Sequence, residues 1–162
     1  MARFILPALA ALILTPVGAH AMDQMMAHGG FGEPGNPKAV TQTVTITATE
    51  IDFDKHALTF KTGDTVKFIL ANKGSQNHEL MIGDEATVDA HRTMMAAMPG
   101  MDHEAMEKAM GGHMDDDESA IDTHPGETKS LVWHFTKPGH FVFACNYPGH
   151  AELGMEGTIT VE

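Results

Sequence analysis

From residue 43 to residue 49 the chain reads Thr43-Val44-Thr45-Ile46-Thr47-Ala48-Thr49, a strict alternation of polar and apolar side chains. An extended strand with one wet face and one buried face satisfies that pattern, and a helix does not. Similar runs recur. Ala57–Phe60 is a short strand candidate, Lys61-Thr62-Gly63-Asp64 reads as a turn, and Thr65–Ala71 is a strand that ends at Asn72-Lys73-Gly74-Ser75. Later, Thr128–Phe135 places Leu131, Trp133 and Phe135 on one face. Gly139–Cys145 does the same with Phe141, Phe143 and Cys145, and Gly157–Val161 closes the chain. Short strands punctuated by Gly and Pro turns predict an all-β domain, either a sandwich or a barrel.

Two regions depart from this texture. Residues 22–38 are rich in Met, His, Gly and Pro and form a segment that does not fold alone. Residues 84–123 hold seven methionines, three histidines and the acidic run Asp115–Glu118, without strand alternation. Short helices over about 87–98 and 102–110, separated by Pro99-Gly100, fit this stretch best. The predicted organisation is a main domain over 39–162 carrying a partly helical Met/His-rich insertion at about 84–123.

The first 21 residues carry Arg3, an apolar run from Phe4 to Leu14, and Ala19-His20-Ala21 as a small-x-small cleavage pattern. These features predict a cleaved signal peptide, a mature chain from about Met22, and export to the periplasm. The run is too short to span a membrane, and no membrane insertion is expected. Without Arg3, nine Lys and Arg remain against 22 acids, a net charge of about −13. That surface excludes nucleic acid as a partner and favours cations and basic proteins.

Export sharpens the meaning of Cys145, the one cysteine of the chain. Cysteines in an oxidising compartment usually pair. A lone one is buried and inert, bound to another chain, catalytic, or held by a metal. Behind it, His150 and Met155 follow at equal five-residue intervals. Thiolate, imidazole and thioether together suit copper in both oxidation states. The strand phase points Cys145 into the core, Pro148-Gly149 turns the chain so that His150 can return toward the sulfur, and Leu153-Gly154 can bring Met155 beneath it. A fourth ligand must come from another strand. His78 sits between the polar loop 72–77 and the apolar Leu80-Met81-Ile82. By contrast His134 and His140 fall on the polar strand faces, His56 lies in a turn, and His124 precedes a proline.

With these residues in view, the chain resembles the cupredoxins, the type 1 copper proteins. Asn77-His78-Glu79 is similar to the family's upstream ligand corner, and Cys145, His150 and Met155 to its ligand loop, with a spacing that resembles that of rusticyanin. The resemblance covers about residues 40–83 and 125–162. It implies a Greek-key β-sandwich, one bound copper, and no catalytic turnover. Many cupredoxins have Asn or Ser after the first histidine, which helps tie the two ligand loops together; here the residue is Glu79, whose backbone N–H could still donate to the Cys145 sulfur. The leader Gly30-Phe31-Gly32-Glu33-Pro34-Gly35 and the insertion His91–His103 further resemble the periplasmic copper-tolerance cupredoxins.

The insertion carries its own signal. On a helix His91, Met94 or Met95, and Met98 share one face, with Met101 just beyond. His103, Met106, Met110 and Met114 follow at similar spacing, with His113 among them. Such a stripe offers soft ligands to Cu(I); a methionine stripe that packs against a core is the competing reading. Met25, Met26 and His28 form a second, smaller group of auxiliary copper ligands. The function expected is copper tolerance or homeostasis, with binding and oxidation of excess Cu(I). An electron carrier serving a respiratory partner is the alternative. A single cysteine argues against a multicopper enzyme. Copper ions are the expected partners, with a redox partner or a copper-export component beside them, and the chain is expected to act as a monomer.

Overall fold

The computed structural model describes residues 30–101, Ala105, Lys108 and 119–162. Among the described residues the main elements are β1 (Gly32–Pro34), β2 (Gln42–Ala48), β3 (Ala57–Phe60), β4 (Thr65–Asn72), β5 (His78–Gly83), the helix α1 (Glu85–Ala97), β6 (Ala120–Thr123), β7 (Thr128–Phe135), β8 (Gly139–Ala144) and β9 (Glu156–Val161). They form two mixed sheets, one ordered β1-β7-β4-β2 and the other β3-β9-β8-β5-β6. Two pairings are parallel, β2 with β4 and β3 with β9. The rest are antiparallel.

The alternation that predicts the strands also builds the core between the sheets. Ile46 and Ala48 of β2, Val66, Phe68 and Leu70 of β4, and Leu131, Trp133 and Phe135 of β7 face Leu80, Ile82, Phe141, Phe143, Ile159 and Val161 of the second sheet. Cys145 and Met155 belong to this same apolar cluster. Aromatic rings fill much of it, with Phe60 stacked on Phe135 at 5.2 Å between centroids and edge-on to Phe68 at 5.7 Å. Gly157 is required where β9 passes β8, because a Cβ there would meet the Phe143 ring.

β5 differs from the other strands in being buried along its whole length, on both faces. Its Leu80 and Ile82 enter the sandwich core, whereas Met81 packs outward with Ala144 and with Val88 of α1. The inserted helix therefore covers the outer face of the ligand-bearing sheet. Asp84 caps it, its side chain accepting from the Thr87 N–H at 2.8 Å. The chain then leaves the helix through Met98, Pro99 and Gly100, the last with φ of 84°.

Two boundaries differ from the expected ones. The Gly/Pro-rich segment before residue 39 is part of the sandwich from its first described residues. β1 pairs with the end of β7, and Phe31 is fully buried, stacked on Trp133 at 4.8 Å and against Phe141 at 5.1 Å. Composition alone hides this, because one large aromatic ring and three ladder positions suffice to dock a short edge strand. At the other end, the insertion gives way earlier than 123: Ala120–Thr123 is β6, paired antiparallel with the start of β5. The observed helix, 85–97, matches the first helix expected. The second falls almost wholly outside the described residues, as do the signal peptide and the Met25, Met26 and His28 group. Among the described residues no helix is long and apolar enough to cross a membrane.

Phe31 gives a direct check on the recruited edge. Phe31→Ala should cost about 3–5 kcal/mol in a denaturant titration, as expected for a fully buried aromatic. A segment merely lying on the surface would lose well under about 1 kcal/mol.

Candidate metal centre

The first ligand residue owes its position to a stapled loop. Asn72, fully buried at the end of β4, donates from Nδ2 to the carbonyls of Gln76 and Thr123 at 2.8 and 3.1 Å, and its Oδ1 accepts from the Gly74 N–H at 2.9 Å. Glu50 grips the other side of the loop by accepting from the Ser75 hydroxyl at 2.7 Å. His78 follows as the first residue of β5, and its carbonyl accepts from the Thr123 hydroxyl of β6 at 3.1 Å. A histidine preceded by a polar loop and followed by core residues is thus held at the rim of the sandwich with its ring turned inward.

The other three candidates come from one loop after β8. The His150 N–H donates to the Tyr147 carbonyl at 3.0 Å, which folds His150 back over the strand end. A single turn of 3₁₀ helix, Ala151–Leu153, closes at Gly154, whose φ of 101° suits glycine alone among common residues. Met155 then donates to the His150 carbonyl and accepts at its own carbonyl from the Cys145 N–H, both at 3.0 Å. That last bond returns Met155 beside Cys145 and starts the β8–β9 ladder. The turns read from Pro148-Gly149 and Leu153-Gly154 are both present.

Cys145, His78 and Met155 are fully buried, and His150 is 7% exposed. The nitrogen and sulfur donors of His78, Cys145 and His150 all lie within 4.8 Å of one another, the one such cluster among the described residues. Nδ1 of His150 is 3.2 Å from the Cys145 sulfur and Nδ1 of His78 is 3.9 Å from it. The two ring centroids are 5.2 Å apart, with the planes tilted by 50°. The Glu79 N–H also points at the sulfur, at 3.4 Å, as its position after His78 suggests.

The electrostatics suit a cation and little else. Burial pushes the Cys145 thiol up to about 12, with the charges of Glu79 and Asp122 adding to it, while the Glu79 and Tyr147 N–H groups pull the other way. Burial holds both imidazoles below their ordinary range. For His78 the neighbouring His150 adds to this, against the Thr49 carbonyl and Glu50; for His150 the charge of Glu152 opposes it. The imidazoles are therefore neutral donors at neutral pH. The thiol is a poor nucleophile until a metal ion takes the place of its proton. Two imidazole nitrogens and one thiolate in a dry site, with a methionine alongside, fit copper, and the donor set matches a type 1 centre.

Of the auxiliary ligands expected in the insertion, the structure describes five. His91 and Met95 lie on the inward face of α1, 6% and 1% exposed. His91 Nε2 sits 2.8 Å from Oε1 of Glu79, so its ring faces the sheet. Met94 and Met98 are half-buried and Met101 is 38% exposed. His103, Met106, Met110, His113 and Met114 lie outside the described residues. What the sequence did not reveal is the role of the Glu79 side chain, buried between Asn146 and His91. The available signal was an acidic residue opening an otherwise apolar strand, since a carboxylate in that place requires partners.

Residues 40–162 match the model of the family described as copper binding proteins, plastocyanin/azurin family. The chain is 37% identical over 145 residues to the copper-resistant cuproprotein CopI of Rubrivivax gelatinosus, covering 89% of this chain and 79% of that protein. It is 33% identical to a protein of the same name from Pseudomonas aeruginosa, over 99% of this chain and 98% of the other. Among solved structures, auracyanin B superposes with a TM-score of 0.62 at 22% identity, covering 81% of this chain and 96% of its own. Reduced auracyanin from Roseiflexus castenholzii gives 0.62 at 24% identity over 76% and 98%. These two likenesses concern the fold.

The buried donors set the pH dependence of the metal-free protein. Below about 6.5 the unfolded chain binds protons that folded His78 and His150 resist, so stability falls with pH. Above 9.0 the unfolded thiol ionises while the folded one holds its proton toward 12, so stability falls again. Chemical denaturation across pH should give a maximum between these limits. Calorimetry in buffers of different ionisation enthalpy should show about one proton released per Cu(II) bound near pH 8. Stability still rising above pH 10 would contradict the account of the thiol.

Proposed function

Because the chain belongs to the plastocyanin/azurin family of copper-binding proteins, we propose that it is a periplasmic type 1 copper protein of copper tolerance, which binds excess Cu(I) and oxidises it. Copper is the cofactor. The observation that carries the reading is the buried His78, Cys145, His150 and Met155 set, combined with close similarity over nearly the whole chain to proteins named for copper resistance.

When bound, copper supplies a one-electron couple. The protein supplies the rest. The stapled 72–77 loop and the closed 145–155 loop restrict ligand movement, which keeps reorganisation between oxidation states small. The low exposure of the ligands excludes water from the sulfur. His150 is the ligand nearest the surface, with the 69% exposed Leu153 three residues on. One electron from substrate Cu(I) would pass at this rim to copper held by His78, Cys145, His150 and Met155, and an external electron acceptor would have to remove it before a second could follow. The scheme involves no bond-making at a substrate and no catalytic side chain, so the proposal is a copper binder and single-electron oxidant rather than a turnover enzyme.

The exposed edge beside His150 also supports the second reading, an electron carrier for a basic redox partner. Copper stoichiometry separates the two. Titration of the mature protein with Cu(I) under anaerobic, reducing conditions should give more than one copper per chain, and deletion of the gene should make cells copper-sensitive. One copper per chain with no copper phenotype would favour the carrier. Copper(II)-loaded protein should show a strong thiolate-to-copper absorption in the visible. Cys145→Ser should abolish it, and Met155→Leu should keep copper while shifting the band.

A further inference from the structure

Glu79 stands directly after a ligand in a strand that continues with Leu80, Met81 and Ile82, yet its carboxylate is fully buried. A carboxylate withdrawn from water is costly without partners. This one has them on two different elements. Oε2 accepts from the side-chain amide of Asn146 at 2.7 Å and from its backbone N–H at 3.2 Å. Asn146 is the residue after Cys145. Oε1 lies 2.8 Å from Nε2 of His91, itself buried on the inward face of α1. An ionised carboxylate only accepts, so the tautomer that fits carries the His91 proton on Nε2. The backbone N–H of the same Glu79 points at the Cys145 sulfur at 3.4 Å.

These contacts make one connected path. His91 on α1 meets the Glu79 carboxylate, the carboxylate holds Asn146 by two bonds, and Asn146 is covalently joined to Cys145. Glu79 is likewise joined to His78 by a peptide bond. Asn146 has a further contact, donating from Nδ2 to the Met81 sulfur at 3.5 Å, which adds to its fixed orientation. α1 is held on this sheet as well by an apolar contact of Val88 with Met81 and Ala144 and by an exposed Arg92–Glu156 ion pair at 3.4 Å. His91, the hydrogen-bond partner of Glu79, is thus the buried polar anchor of the inserted helix, where Arg92–Glu156 is an exposed one.

We infer that Glu79 is a positioning residue of the metal centre, whose carboxylate ties helix α1 to the Cys145 ligand loop through His91 and Asn146, so that the state of the helix is read at the ligand sulfur. This rests on the copper reading of the site for its redox consequence and not for its geometry. The redox consequence follows from charge. A negative group held in a dry site beside the metal favours the cupric over the cuprous state, and little water is present to screen it. Met94 lies on the same helix one turn from His91 and Met98 caps its end, so a ligand taken up there would pull on the anchor of the copper loop.

Three variants test this. Glu79→Gln keeps the shape and an acceptor for Asn146 but removes the charge. In copper-loaded protein it should move the Cu(II)/Cu(I) balance at least about tenfold toward Cu(I), a rise of about 59 mV for one electron. His91→Leu leaves every ligand untouched. In metal-free protein it should shift the Asn146 backbone and side-chain amide resonances and speed amide exchange over residues 85–97. In copper-loaded protein it should shift the thiolate-to-copper band. His91→Gln, which retains a donor, should restore both. An unchanged potential in Glu79→Gln would overturn the inference, as would unchanged Asn146 resonances in metal-free His91→Leu. A wild-type protein with no thiolate-to-copper band would instead defeat the copper reading of the site, so the two failures are distinguishable.

Discussion

A thiol sealed from water at the end of a core strand is the constraint on which the rest of the structure depends. Cys145 continues the inward phase of Phe141 and Phe143, so the alternation that builds the sandwich also buries the sulfur. Burial alone would keep it protonated and inert. It becomes useful only if a cation can replace the proton, and the fold supplies the means. Two neutral imidazoles and one N–H surround the sulfur, and the Cys145 N–H to Met155 carbonyl bond closes the loop that brings them there. Fold and chemistry share the same few residues.

Much of this was legible in the sequence because it follows from local pattern. Strand alternation marks β2, β4, β7 and β8 well, and the turn residues Gly149 and Gly154 announce the return of His150 and Met155. His78 was legible through its context, a polar loop before it and an apolar strand after. The missed features are those that depend on long-range pairing. Phe31 lies in a segment that looks like linker, and only the gap left beside Trp133 and Phe141 makes it core. β6 is four residues long and has no pattern of its own; its partner β5 defines it. His91 looked like a soft-metal ligand because the stripe 91, 94, 95, 98 is real, but periodicity does not say which way a stripe faces. The buried Glu79 decides that, by drawing the imidazole inward.

The inward-facing His91 changes how the insertion relates to the metal. A Met/His-rich stretch joined to a sandwich only by its two ends would leave the copper centre untouched. Here the helix covers the outer face of the sheet that carries His78 and shares a buried carboxylate with the Cys145 loop. β5 is the common element, buried on both sides, with its inward residues in the main core and its outward ones under α1. The half-buried Met94 lies on this helix, Met98 caps its C-terminal end, and the exposed Met101 follows three residues later.

The account stands on copper bound at the sulfur of Cys145. X-ray absorption at the copper edge of the loaded protein tests this most directly, because it reads the atoms around the metal regardless of colour or potential. The account predicts one short thiolate sulfur scatterer together with two imidazole nitrogens. A shell of nitrogen and oxygen alone, with no short sulfur, would place the copper elsewhere and contradict the assignment.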